Sequence, residues 1–175
     1  MKAWEHFKTI TYHKYLVMKG CFAVGLYKQG ILHDMSKYSY TEFSVGARYF
    51  QGDRSPNNAE RETIGYSSAW LHHKGRNKHH YEYWIDYSME QTKGFVPIPM
   101  PTKYIVEMLM DRIAASKVYN KGHYKDSDPL NYYNRGRDFA PIHKDTKEIL
   151  EPLLEMLAEK GEQDTFAYIR RELLN

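Results

Sequence analysis

Seven histidine and aspartate residues, scattered along the first two thirds of the sequence, constrain how this chain can fold. They are His13, the adjacent pair His33 and Asp34, His73, the adjacent pair His79 and His80, and Asp111. Imidazole nitrogens and carboxylate oxygens together suit divalent transition metals. Five of the nine histidines lie between His33 and His80, which is a high density for a soluble domain. The pattern predicts a fold in which several separate segments converge on one metal site.

The spacing of apolar residues predicts helices. Apolar residues in two long segments recur at intervals of three and four, and strand signals are sparse. We therefore predict an all-α fold of about seven helices. Eight segments are candidates for these helices, at approximately residues 4–19, 22–30, 40–50, 58–73, 79–90, 102 onward through Asp111, 144–157 and 164–174. Glycine, proline and asparagine predict a loop at 51–58, a long ordered loop at 122–138 and an extended connector at Pro97, Pro99 and Pro101.

Length and charge limit the classes of protein to which the chain can belong. Its 175 residues, 42% of them apolar, predict a single domain over residues 1–175. A formal net charge of +3 favours neither nucleic acid nor a membrane surface as a partner. The single cysteine, the lack of a signal-peptide pattern and the lack of a long apolar run predict a cytoplasmic protein. The sequence leaves open whether the chain forms homo-oligomers.

The pair His33 and Asp34 is the strongest local signal, and Lys37 follows three residues later. Taken alone, the pair could be an N-cap aspartate beside a partly buried histidine. The other candidate ligands favour a metal site instead. Because a carboxylate next to a metal-bound histidine can bridge two ions about 3.5–4 Å apart, we predict that Asp34 is a bridging ligand.

The order of these residues resembles the extended ligand pattern of HD-domain phosphohydrolases, particularly the HD-GYP branch. The pattern is a histidine, then His-Asp with a lysine three residues on, a histidine, a His-His pair and an aspartate; the chain has no GYP triplet. A second resemblance, over about residues 5–157, is to a family of small bacterial and phage proteins of uncharacterised function. The stretches that carry it are residues 33–37, 73–80 with Glu82, 107–116 and 128–133.

These resemblances imply a single HD-like helical domain that holds one or two divalent ions. The implied metals are Fe, Mn, Co, Ni or Zn, with Mg as an alternative. His73 matches the pattern of the second family, and because adjacent helical side chains diverge by about 100°, we select it over His72. His79 and His80 are both predicted ligands, although one of them could instead position a ligand without contacting the metal itself. Asp111 interrupts an apolar helical run, so its charge should be buried and need compensation, which metal coordination would supply. The alternative is an exposed aspartate paired with Arg112 or Lys117.

Lys37 matches the lysine of the HD-x-G-K signature, with Ser36 in place of the glycine. The resemblance implies that this lysine positions a phosphate or the nucleophile, so Lys37 and Asp34 are the predicted catalytic residues. Other cations are candidates for binding a substrate phosphate beside Lys37. They are Arg48, Arg76, Lys117, Arg135 and Arg137.

The expected function is a metal-dependent phosphohydrolase that acts on a nucleotide or another small phosphate ester. The alternative is a catalytically inactive metal-binding helical protein with a structural or interaction role. Binding of nucleic acid is disfavoured by the modest net charge. An open coordination position on the metal distinguishes the phosphohydrolase from the inactive metal-binding protein, because a metal whose ligand shell is saturated stabilises the fold without catalysing turnover.

Overall fold

The structure is a computed structural model that describes residues 2–90 and 92–174, most of them helical. Eight α-helices occur in these ranges: α1 (Lys2–Ala23), α2 (Tyr27–Leu32), α3 (Tyr40–Tyr49), α4 (Pro56–Ile64), α5 (Ser68–Lys74), α6 (Thr102–Tyr119), α7 (Asp128–Asn134) and α8 (Lys144–Tyr168). Two short strands, β1 (Ile85–Tyr87) and β2 (Phe95–Pro97), pair antiparallel. The prediction of a mainly helical fold is confirmed, with a small hairpin added to it.

Helix α6 runs through the core. Six consecutive side chains, from Ile105 to Met110, are buried, which is more than one full turn. Helices α1, α7 and α8 pack against α6, and α8 contributes four buried leucines. Because α6 is enclosed by other helices, it carries Glu107 and Asp111 into the interior, where a charge requires a partner.

One face of α1 carries two histidines inward. Its buried residues are His6, Ile10, His13, Val17 and Cys21. Intervals of three and four residues place these side chains on one face of the helix, and α1 packs against α2, α3 and α6. His13 therefore faces α6, whereas the ring of His6, two turns earlier, packs beside Phe43 of α3.

The single helix predicted for residues 58–73 is two helices, α4 and α5. The break comes at Gly65, whose φ of 84° is left-handed and ends α4. Ser67 then caps α5 by accepting a hydrogen bond from the backbone N–H of Trp70. The prediction of one helix was wrong because a glycine C-cap followed by a serine N-cap starts a new helix. The new direction leaves His73 near the C-terminal end of α5.

The helix predicted for residues 79–90 is also wrong. After His80 the chain forms a 3₁₀ helix (Tyr81–Trp84) and then the β1–β2 hairpin. The strands contain Ile85, Tyr87, Phe95 and Val96. Aromatic and β-branched side chains favour an extended backbone, and here they outweigh a weak helical spacing. His79 and His80 consequently lie in a turn rather than at the start of a helix.

The last part of the chain departs from the prediction at one helix. The predicted loop at 122–138 contains α7, where Asp128 accepts hydrogen bonds from the side chain of Asn120 and the backbone of Lys125. Farther on, the helical path breaks at Gly161, with φ 79°, where the sequence predicted a division. Within the described ranges, no helix combines the length and apolar character that a membrane crossing requires.

Candidate metal centre

A sharp turn after α2 brings His33 and Asp34 into the interior, each 1% exposed. Asp34 adopts a left-handed backbone conformation, with φ 54° and ψ 25°. This conformation is uncommon for residues other than glycine, although aspartate tolerates it better than most. Lys14 fastens the turn to α1, because its Nζ donates to the carbonyl oxygens of Ile31 and His33 at 2.6 and 2.7 Å. The turn is thus fixed to the helix that supplies His13.

The first ligand set consists of His13, His33, Asp34 and Asp111, drawn from α1, the turn and α6. Nε2 of His13 lies 2.9 Å from Oδ1 of Asp111. Nε2 of His33 lies 3.2 Å from Oδ2 of Asp34. Since ligand atoms at about 2.0–2.2 Å from one ion are themselves roughly 3 Å apart, these atoms have the spacing of ligands to a shared ion.

The second ligand set consists of Asp34, His73, His79 and His80. The Nε2 atoms of His73 and His80 lie 2.9 Å apart. Oδ1 of Asp34 lies 3.2 Å from Nε2 of His73 and 3.4 Å from Nε2 of His79. The turn that replaces the predicted helix therefore places both neighbouring histidines at the same site.

Asp34 belongs to both sets and presents a different oxygen to each. Oδ2 faces His33, and Oδ1 faces His73 and His79. A carboxylate that offers its two oxygens to two groups of ligands has the arrangement of a bridging ligand between paired ions. The structure therefore brings together all seven residues that the sequence predicted as metal ligands.

Two glutamates that the sequence did not assign to the site orient the histidines. Oε1 of Glu107 accepts from Nδ1 of His33 at 2.9 Å and lies 3.1 Å from Nδ1 of His79. Oε2 of Glu42 accepts from Nδ1 of His73 at 2.8 Å. A histidine that donates from Nδ1 keeps the lone pair of Nε2 free for a metal, so these carboxylates fix the tautomer that coordination needs.

Electrostatics at the site are dominated by the buried carboxylates. Burial raises the pKa of Asp34, but attraction to His33 and Lys37 outweighs burial and holds that pKa well below its ordinary value. Burial lowers the pKa of His33, yet the surrounding carboxylates, led by Asp34, raise it well above the ordinary value. For His80, burial and the adjacent His79 hold the pKa well below its ordinary value. The carboxylates thus favour positive charge at the site, which divalent cations would supply.

Among the described residues, several buried ligand atoms of the two sets form no hydrogen bond of regular geometry, although charged groups lie close to some of them. They are Nε2 of His13, His33 and His79 and both carboxylate oxygens of Asp34. Buried polar atoms without regular hydrogen bonds are costly in a protein interior, and all of these atoms are metal-ligating atoms that converge on the same region. The residues therefore fit one or two divalent ions.

A cavity of about 850 Å³ opens onto the ligands. His13, His73, His80 and Asp111 line it, together with Lys37. This volume lies within the usual range of small-molecule sites, roughly 300–1,000 Å³. The cluster is therefore accessible to a small ligand rather than sealed inside the core.

The predicted phosphate-binding cations divide into two groups. Lys37 and Arg135 line the cavity. Lys117 pairs with Glu162 and Arg137 pairs with Glu151. Neither of these two residues lines the cavity, nor do the exposed Arg48 and Arg76. Arg112, which the sequence analysis considered only as a partner for Asp111, also lines it.

The alternative interpretation of Asp111 as an exposed residue is wrong. Its side chain is 16% exposed and pairs with His13 at 2.9 Å rather than with Arg112 or Lys117. Burial raises the pKa of Asp111, but close interactions with His13 and His33 hold that pKa well below the ordinary value. A buried carboxylate among imidazoles is a ligand candidate of the same kind as Asp34.

His72 and His73 should differ sharply when each is replaced by alanine. His73 presents Nε2 to the second ligand set, whereas His72 belongs to neither set and its Nδ1 lies 2.6 Å from Glu42. We expect His73→Ala to weaken metal binding at the second set by more than about tenfold, and His72→Ala to weaken it by less. Metal titration of both purified variants measures the difference. Loss of metal in His72→Ala alone would contradict this assignment.

Comparison with known proteins identifies the family of this chain but no activity. The sequence model of a family described as a family of unknown function (DUF5662) matches residues 2–156. This stretch contains all seven predicted ligands. No curated protein and no solved structure shows a significant match to the chain.

Proposed function

We propose that this chain, which belongs to the DUF5662 family of unknown function, is a metal-dependent phosphohydrolase that acts on a nucleotide or another small phosphate ester. The observation that carries the proposal is the position of Asp34, whose two oxygens face two ligand sets that open onto a cavity. The resemblance of the ligand order to that of HD-domain phosphohydrolases supports the same reaction class.

The chain's own residues would hold the ions and keep them oriented. His13, His33 and Asp111 would hold one ion, and the histidines of the second set the other, with Asp34 shared. Divalent ions held there would acidify water and polarise phosphoryl oxygens, which promotes hydrolysis of phosphate esters. The hydrogen bonds from histidine to Glu42 and Glu107 keep the ligating nitrogens aimed at the site.

Lys37 is placed to contact a phosphate bound at this site. Its Nζ lies 2.5 Å from Oδ2 of Asp34, and its side chain, 28% exposed, lines the cavity. Burial lowers the pKa of Lys37, but Asp34 and Asp111 raise it above the ordinary value, so the ammonium stays charged. A fixed positive charge next to the ligands can stabilise negative charge that develops on the phosphoryl group.

The alternative of an inactive metal-binding protein accounts for the ligands but not for their access to the cavity. A structural metal site is usually closed by four protein ligands and keeps no open position. Here four of the seven predicted ligands line the wall of the cavity. This accessibility favours catalysis over a purely structural role.

Phosphate release from a panel of phosphorylated compounds tests the proposal. The chain is freed of metal, reloaded separately with Mn, Fe, Co, Ni, Zn or Mg, and incubated with nucleoside monophosphates, diphosphates, cyclic nucleotides and sugar phosphates. We expect metal-dependent release from at least one class. Metal binding without release from any class would support the inactive alternative.

Replacement of Lys37 should separate metal binding from catalysis. Because a protonated ammonium cannot be a ligand, Lys37→Ala should retain its metal while hydrolysis falls by about 100-fold. Lys37→Arg should recover part of the rate, since a planar guanidinium places its charge differently. Lys28→Ala, on the exposed surface of α2, serves as the control. A wild-type rate in Lys37→Ala with full metal content would show that Lys37 is an ordinary surface residue.

A further inference from the structure

Arg112 is a cation of the cavity wall that forms no ion pair with a carboxylate in the part of the chain that the structure describes. Its Nε is buried and forms no hydrogen bond. Among residues 2–90 and 92–174, no carboxylate oxygen lies within 4.0 Å of its guanidinium nitrogens, and its Nη2 makes a long contact of 3.9 Å with the sulfur of Met108. A buried guanidinium nitrogen without a partner is costly. An anion bound to the guanidinium from the cavity would supply the negative charge that no nearby carboxylate provides.

Two other arginines of the chain, Arg54 and Arg137, are paired with carboxylates of the chain itself. Arg54, which also lines the cavity, forms two hydrogen bonds of 2.7 Å with the carboxylate of Glu62. Arg137 binds both carboxylate oxygens of Glu151. Arg112 therefore differs from Arg54 in having no carboxylate partner among the described residues, and from Arg135, an exposed cation of the cavity wall, in having a buried Nε.

The guanidinium of Arg112 is held in position before any ligand binds. It lies over the ring of Tyr133, 5.5 Å from the ring centre. The hydroxyl of Tyr133 in turn donates to Glu151 at 2.7 Å. Arg112 also follows Asp111 directly in α6, and both line the cavity. A group bound in this cavity thus meets a fixed cation on the cavity wall.

We propose that Arg112 binds the phosphate of the substrate, or inorganic phosphate as product, through its guanidinium group, which has no carboxylate partner among the described residues. The planar guanidinium presents donors in a fork that matches two phosphate oxygens, which favours this ligand chemistry over a neutral one. This inference rests on the proposed function, because the phosphate must also reach the metal ligands. It adds a specificity-determining residue that lies outside both ligand sets.

The affinity of the metal-loaded chain for inorganic phosphate tests the proposal. Calorimetry compares the wild type with Arg112→Gln, Arg112→Lys and the control Arg54→Gln, and metal content and melting temperature are measured for each. We expect Arg112→Gln to weaken phosphate binding by about tenfold or more at unchanged metal content. Arg112→Lys should recover part of that loss, and Arg54→Gln should bind as the wild type does.

A purely structural role for Arg112 gives a different result. In that case Arg112→Gln lowers the melting temperature but leaves phosphate affinity unchanged, which overturns the proposal, as does a wild-type chain that binds no phosphate. If Arg112→Gln does not fold, Arg112→Lys decides, because it keeps the positive charge on an unbranched stem; an affinity equal to that of the wild type overturns the proposal.

The same measurements separate this inference from the proposed function. Arg112-dependent phosphate binding in a chain that hydrolyses no ester supports the inference and contradicts the hydrolase. Hydrolysis by a chain whose phosphate affinity is unaffected in Arg112→Gln supports the hydrolase and overturns the role of Arg112.

Discussion

Asp34→Asn should abolish metal binding at both ligand sets at once. Each set uses a different oxygen of this carboxylate, and an amide supplies only one oxygen and no negative charge. Loss of partners outside the ligand shell already costs about 10–100-fold in metal affinity, so loss of the shared ligand should cost more than about 100-fold at each set. Titration of the metal-free variant, followed by elemental analysis after dialysis, measures the effect.

Two further variants make the result specific. Asp111→Asn removes a ligand of the first set only, so the second set should still bind. Asp53→Asn changes an exposed carboxylate on the cavity wall that belongs to neither set, and it should bind metal as the wild type does. Full metal content in Asp34→Asn would show that the two sets do not share Asp34.

Chelation should lower the melting temperature of the wild-type chain by about 8–16 °C. A metal present at about 1,000 times its dissociation constant stabilises the folded state by ~4 kcal/mol. In a chain of 175 residues, each kcal/mol corresponds to about 2–4 °C. The stabilisation arises because the folded chain gathers ligand atoms that otherwise lack regular hydrogen bonds. Calorimetric scans before chelation, after it and after metal is restored measure the shift.

The variant Asp34→Asn is the matched control for this experiment. Because it should hold no metal, the chelator should leave its melting temperature unchanged. If the wild type keeps its melting temperature after elemental analysis has shown that the metal is gone, metal does not stabilise the folded chain.

Helical periodicity predicted the elements that carry the most important ligands. The apolar intervals of α1 and α6 place His13 and Asp111 on buried or nearly buried helix faces, as the structure has them. The order of the ligands along the chain predicted that His73 and the His79–His80 pair would join them. These inferences needed local spacing, the chemistry of imidazole and carboxylate groups, and the resemblance of the ligand order to known family patterns.

The turn that carries His79 and His80 could not be predicted from spacing. Its conformation follows from the β1–β2 hairpin, whose strands are three residues long and leave a weak signal. The break at Gly65 was likewise hidden within a polar helical pattern. Both errors concern short segments in which a local signal, a glycine cap in one and β-favouring side chains in the other, outweighs helical spacing.

The supporting glutamates differ in how visible they were in the sequence. Glu107 lies four residues before Asp111 in α6, so the two share a helix face, and this relation could have revealed it. Glu42 follows Ser39 at the spacing of a capping box, and its backbone N–H does donate to the serine hydroxyl. Because the capping spacing already accounts for a glutamate at position 42, the sequence gives no sign that its side chain also reaches His73.

Phosphate release measured while metal is added stepwise to the metal-free chain tests most directly whether the ligand cluster is a catalytic centre. Release from a phosphate ester should rise with added metal, saturate at one or two ions per chain and be absent in Asp34→Asn at every metal concentration. Saturable metal binding by the wild type without release from any nucleotide or other small phosphate ester would contradict a hydrolytic role for the cluster around Asp34.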